Sequence, residues 1–199
     1  MKIIGLTGGS GTGKSIISEY LKQKGMYIID ADKIAHGILE KGKPAYYEVL
    51  ELFGDTILDE DKNIIRRKLG DIVFNDKEKL KKHTKCTHKH IIAEIRKLIK
   101  ENMQKCYKAI VIDAPLLVEA GLHKQTDEVW AIYADTPIRI ERIMKRDNIT
   151  FEQAKSRIDS QMDWQELKKY ADVIIFNNES VEKVKKDIDN ILEKDFGEE

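Results

Sequence analysis

The chain has few cysteines, no long apolar run and no excess of charge of either sign. Among its 199 residues the cysteines are Cys86 and Cys106, with neither metal-pair spacing nor a disulfide framework. A reducing, cytoplasmic setting fits that usage. Basic and acidic residues balance at 35 each, so net charge creates no single-sign field to draw in a long nucleic acid. No stretch approaches the ~18 apolar residues of a membrane-spanning helix. The N-terminal apolar run reaches glycine within a few residues and has no cleavage site, so it reads as no signal peptide. Internal repeats and low-complexity linkers are absent. No Asn-Lys dipeptide occurs, which removes the base-reading motif of a GTPase switch. The length suits one compact unit able to bury a real core.

What is there begins with Gly8-Gly-Ser-Gly-Thr-Gly13-Lys14-Ser15. A glycine, four free positions and Gly-Lys-Ser is the spacing of a phosphate-binding P-loop. Glycines let successive N–H groups converge on an anion, and the helix that follows adds its N-terminal amides and dipole. Lys14 can reach the β- and γ-phosphates, and the Ser15 hydroxyl can ligate Mg²⁺. The flanks agree: Lys2–Thr7 reads as a strand, and Ile17, Tyr20 and Leu21 have helical apolar spacing.

The remaining pattern alternates strands with helices and predicts a parallel sheet with right-handed crossovers. Gly25–Asp30 is a second strand ending in Asp30-Ala-Asp32, where strand ends line the ligand crevice of an open sheet. Residues 33–106 read as a helical insertion. It has segments at Ile34–Leu39, Pro44–Phe53 and Arg66–Phe74, then a long Lys-rich helix capped by Asn75 or Asp76. Strands return at Ala109–Asp113, Val129–Ala134 and Asp172–Phe176. Asp135-Thr-Pro137 reads as a helix cap, Thr150–Gln153 as a capping box opening a helix to about Met162, and Ser180 as the start of a closing helix. These spans predict a nucleotide-binding core at 1–32, 107–136 and 170–199, a helical substrate domain at 33–106 and a helical lid at 137–169.

Asp113 closes a buried strand as a Walker B acid does, and such a carboxylate helps hold Mg²⁺. Asp32 is either a general base for an acceptor hydroxyl or the cap of the helix that follows. Arg139, Arg142 and Arg146 share one helix face. They suit an electropositive lid, or a solvated face paired with Glu141 or Asp147. His83, Cys86 and His90 also share a face, with His88 beside them. Flanking lysines oppose a cation there, and the spacing matches no usual zinc site. A short P-loop core, a helical insertion after the second strand and an Arg-bearing helical pair suit a small-molecule kinase better than a motor ATPase. A nucleotide-sensing module would need neither Asp32 nor the lid arginines.

Beyond these motifs, the chain resembles the dephospho-CoA kinase family nearly end to end. The carriers are Ile3–Ser15, Ile29-Asp-Ala-Asp-Lys-Ile-Ala35, Phe53-Gly, Arg66–Phe74, Asp113-Ala-Pro-Leu-Leu-Val-Glu119, Arg142–Asp147, Gln161 and Ala171-Asp-Val-Ile. The resemblance implies an α/β P-loop NTPase fold: a parallel sheet of about five strands flanked by helices, with a helical CoA-binding domain and a helical lid. It implies ATP-dependent phosphorylation of the ribose 3′-hydroxyl of dephospho-CoA, with Mg²⁺, by a monomer or weak homo-oligomer that binds neither nucleic acid nor membrane. By position it implies Asp32, Lys14 and Arg142 as catalytic. Gly11, Thr12, Gly13, Lys14, Ser15 and Ile16 become the ATP phosphate segment. Asp32, Arg66, His88 and Leu117 become substrate contacts, and Ser15 and Asp113 metal ligands. The chain departs from the family pattern at Ile16, Lys89, Leu167 and Phe176–Glu179. Lys89, where the family commonly has proline, predicts loss of a local bend.

Overall fold

A computed structural model describes residues 1–197, Phe74 by its backbone alone. The last positions of the expected core, Glu198 and Glu199, lie outside the described residues. Its strands are β1 (Lys2–Thr7), β2 (Tyr27–Asp30), β3 (Ala109–Asp113), β4 (Glu128–Tyr133) and β5 (Val173–Phe176). They form one five-stranded sheet in the order β2-β3-β1-β4-β5. The sheet is parallel, with Leu6 of β1 opposite Asp113 of β3 and Trp130 of β4. The helices are α1 (Lys14–Gln23), α2 (Ala31–Gly37), α3 (Pro44–Phe53), α4 (Arg66–Phe74), α5 (Lys77–Asn102), α6 (Thr136–Asp147), α7 (Phe151–Asp159), α8 (Trp164–Leu167) and α9 (Val181–Phe196). None of the described helices is long and apolar enough to cross a membrane.

The chain divides into two compact units. One is Met1–Ile29 with the chain from Asn102 onward, and the other is Asp30–Glu101. The helices α6 and α7 belong to the first unit. Its core follows from period-two alternation: Ile4, Leu6, Val111, Trp130, Ile132 and Ile175 point to one sheet face. Ile17 and Leu21 of α1 and Val184, Ile188 and Leu192 of α9 cover that face. β3 is buried at all its positions, as a central parallel strand should be. Ile140 and Ile143 of α6 pack on Ala154 of α7 as a separate small core.

In the second unit Val49, Ile57, Leu69, Val73 and Cys86 make the core between α3, α4 and α5. α5 runs unbroken through Lys89. Its N-terminus is set by Asp76, whose carboxylate accepts from the Glu78 and Lys79 N–H groups. The face carrying Cys86 and His90 is organised by Glu48 rather than by a cation. Glu48 accepts from the Cys86 thiol at 3.5 Å, pairs with Lys89 at 2.6 Å and bonds His90 Nε2 at 3.0 Å. The Lys89 ammonium, aided by His90 and Cys86, holds the Glu48 carboxyl at about 2. Burial, with Glu48 beside it, pushes the Cys86 thiol up to about 11.

Several boundaries differ from the sequence reading, for local reasons. β2 starts at Tyr27, because Gly25 adopts φ +90° and its N–H closes α1 onto the Lys22 carbonyl. α2 starts at Ala31, capped by Asp30, whose carboxylate accepts from the Lys33 N–H at 2.9 Å. Asp32 is therefore a first-turn acid and not the cap. Asp135 precedes α6 but its side chain caps nothing, since it takes the Tyr133 hydroxyl instead. α7 opens on the expected Thr150–Gln153 capping box yet ends at Asp159, after which Asp163 caps the short α8.

The fully buried Ile188→Ala should cost roughly 2–5 kcal/mol in a urea melt. Removing the Thr150 cap by Thr150→Ala should cost about 1 kcal/mol. The depressed Glu48 pKa makes its contribution to stability full above about pH 4.5 and lost as pH falls toward 2. Thermal melts across that range should show a flatter acid limb in Glu48→Gln, and an unchanged slope would take Glu48 out of acid unfolding.

Candidate active site

The P-loop is shaped by what its carbonyl groups bond. Thr12 donates to the Gly9 carbonyl through its N–H at 3.2 Å and its hydroxyl at 2.8 Å. Arg139 Nε of α6 donates to the Ser10 carbonyl at 2.9 Å. Arg142 Nη1 donates to the Gly11 carbonyl at 3.4 Å, and Asn177 Nδ2, just after β5, to the Thr12 carbonyl at 2.7 Å. Every carbonyl from Gly9 to Thr12 thus has a donor. A trans peptide points its N–H opposite its C=O. Anchoring the Ser10 and Thr12 carbonyls therefore turns the Gly11 and Gly13 N–H groups away from Arg139 and Asn177. That arrangement makes an anion-binding nest.

The glycines are required by close approach. Gly11 and Gly13 take φ +80° and +86°, a region side chains resist. A Cβ on Gly11 would lie 2.6 Å from the Arg139 carbonyl oxygen, and one on Gly13 would strike the Asn177 amide. Gly13 also precedes α1 without a side-chain cap, so the helix N-terminus presents its amides to an anion.

Lys14 and Asp113 meet as an ion pair, Nζ on Oδ1, with both side chains mostly buried. The pairing follows from the sheet: Asp113 ends β3 opposite Leu6, at the strand end from which the P-loop departs. Ser15 is exposed at the start of α1, and Ile16 beside it is also exposed. The Ser15 hydroxyl and the Asp113 carboxylate are hard oxygen donors of the kind Mg²⁺ takes beside phosphates and water, so the residues fit that ion.

Of the arginine stripe, Arg139 and Arg142 reach the loop. Arg146 bonds Asp147 at 2.8 and 2.9 Å, joined there by Arg157. Burial lowers the basicity of the Arg139 guanidinium. Leu117, expected as a substrate contact, has a side chain that is 0% exposed and packed where a Cβ on Gly5 would touch it. In the second unit, Asp32 is exposed in the first turn of α2, Arg66 is exposed at the start of α4, and His88 is half-buried on α5.

Two loop partners, Gln161 and Asn177, were given no role from sequence, and Arg139 was read as a lid arginine rather than a loop anchor. Gln161 Oε1 accepts from the Ser10 N–H at 2.8 Å. Asn177 and Arg139 hold the carbonyls described above. Only the Arg stripe carried a local signal for any of them, because the contacts span 151, 165 and 129 residues.

A family model described as dephospho-CoA kinase matches residues 2–183. The chain is 44% identical to the dephospho-CoA kinase of Carboxydothermus hydrogenoformans over 98% of this chain and 94% of that one. It is 41% identical to that of Aquifex aeolicus over 98% and 97%. Among solved structures, dephospho-CoA kinase from Campylobacter jejuni superposes with a TM-score of 0.73 at 34% identity, covering 96% of each chain. Shikimate kinase from Acinetobacter baumannii, at 14% identity and a TM-score of 0.56 over 98% and 96%, shares the fold.

Gly13→Ala should weaken ADP binding, followed by calorimetry, by about tenfold or more. Gly42→Ala is the control, since Gly42 has φ +93° but nothing within 4 Å of its Cβ position. Equal losses in both would show that backbone strain, and not the approach of Asn177, makes Gly13 necessary.

Proposed function

The chain belongs to the dephospho-CoA kinase family, and from that premise we propose which of its residues carry the reaction. The reaction is transfer of the γ-phosphoryl group of ATP to the ribose 3′-hydroxyl of dephospho-CoA, the last step of coenzyme A synthesis. The observation that carries the assignment of roles is the loop whose carbonyls from Gly9 to Thr12 are anchored, with Lys14 and Asp113 paired beside it.

The amides of Gly11, Thr12, Gly13, Lys14, Ser15 and Ile16 take the ATP phosphates. Lys14 exchanges Asp113 for the β- and γ-phosphates. The Asp113 carboxylate so released and the Ser15 hydroxyl would hold Mg²⁺, which when bound would supply positive charge against the phosphate oxygens. Arg142 stabilises the equatorial oxygens of the transferring group. Asp32 takes the proton of the 3′-hydroxyl as its oxygen bonds to phosphorus, while the bond from phosphorus to the bridging oxygen breaks and its electron pair leaves with ADP. The cap role falls to Asp30, which supports reading Asp32 as the general base. The second unit binds the acceptor, with the exposed Arg66 fork suited to its diphosphate and His88 as a further contact. The helices α6 and α7 act as the lid that excludes water.

ADP release with Mg-ATP should depend on dephospho-CoA and yield CoA, against adenosine, AMP, CMP, shikimate and no acceptor. Release with another acceptor would overturn the substrate. Asp32→Asn should leave ATP binding within a few-fold and cut turnover by about 10²-fold. Wild-type turnover in that variant would remove Asp32 from proton transfer.

A further inference from the structure

One residue of the P-loop is held through both its N–H and its carbonyl by the helical arm formed by α6, α7 and the turn after them. The Ser10 N–H donates to Gln161 Oε1 at 2.8 Å, and the Ser10 carbonyl accepts from Arg139 Nε at 2.9 Å. The two side chains also meet each other, Arg139 Nη2 donating to Gln161 Oε1 at 3.4 Å. The result is a closed ring through one loop residue, one residue of α6 and one residue beyond α7. Gly9 fits the same picture. Its φ is not in the left-handed region, so its backbone does not demand glycine. A Cβ there would instead strike Arg139 Nη2 and lie 2.9 Å from Gln161 Oε1.

The Arg139 guanidinium, moreover, meets carbonyl oxygens and not a carboxylate at either of these contacts. Its fork geometry supplies two bonds at fixed angles, which an ammonium could not reproduce. Arg139 therefore serves the shape of the loop at least as much as its charge.

We propose that Arg139 and Gln161 are positioning residues for phosphoryl transfer: together they clamp Ser10 and fix the P-loop to the α6–α7 arm. Phosphate grip and arm position then change together. Gly9 is glycine because the clamp fills the space where its side chain would be. The proposal rests on the kinase reading above but concerns residues outside the roles assigned there.

Four variants test it: Arg139→Ala, Arg139→Lys, Gln161→Ala, and Arg139→Ala with Gln161→Ala. ADP affinity is read by calorimetry, which needs no acceptor, and kcat and KM for dephospho-CoA are read separately. Each variant should bind ADP about tenfold more weakly and lose kcat by a similar factor, with KM for dephospho-CoA within about threefold. The double variant should be no worse than the worse single, because the clamp is one device. Arg139→Lys should not restore it.

A loss in Arg139→Ala with Gln161→Ala unaffected would make the residue a source of charge and overturn the clamp. Additive losses, or unchanged ADP affinity in all four, would overturn it as well. A further readout stands apart from catalysis: Gly9→Ala should destabilise the protein, and Arg139→Ala should relieve much of that loss in the thermal melt. If the wild-type chain failed to phosphorylate dephospho-CoA, the reaction assignment would fall, while ADP affinities and melts would still decide the clamp.

Discussion

The active loop depends on a simple constraint: a short stretch of backbone must show its N–H groups to a ligand without leaving its carbonyls unpaired. An unpaired carbonyl removed from water costs free energy comparable to a lost hydrogen bond. Here each carbonyl from Gly9 to Thr12 has a donor, from Thr12 itself, Arg139, Arg142 and Asn177. The donors come from α6 and from the chain after β5, so these elements are placed by the needs of the loop as well as by the sheet. A P-loop built this way is preorganised, and phosphate binding need not bear the full entropy of ordering it.

The same economy shapes the charges. Lys14 is paired with Asp113, and Glu48 gathers Lys89, His90 and Cys86. In the first case the roles proposed for both groups make the pair a resting arrangement. In the second the thiol is buried and driven away from its reactive form, so the cluster fastens α3 to α5. The His and Cys residues on one face of α5 were read from sequence as no usual zinc site, and their partner is a carboxylate from a different helix.

What was legible in the sequence was local. Gly8–Ser15, the Thr150–Gln153 box and the buried run of β3 announce themselves because spacing alone carries the signal. Asp113 was legible because a strand end in an open sheet has a defined place. Asn177 and Gln161 were not assigned as loop partners, because nothing near them in sequence distinguishes an amide that bonds a loop from an amide on a surface, and Arg139 was read as a lid arginine rather than a loop anchor. Leu117 belongs to a motif that suggested contact with substrate, and its packing over Gly5 carries no local signal in the sequence. Asp32 and Asp30 show how a shift of two positions along a helix start moves the capping role to another acid.

The loop's partners also bear on how the chain is made. Residues 8–15 are synthesised before the strands that flank β1, which lies between β3 and β4 in the sheet, and both of these follow residue 108. The Thr12 carbonyl waits for Asn177, 165 residues later. A chain emerging from the ribosome therefore carries its nucleotide motif long before it has the means to shape it, and closing such distant contacts is the slow part of folding. The Asn177 anchor arrives only after β5, so a chain halted before it carries the motif without that anchor.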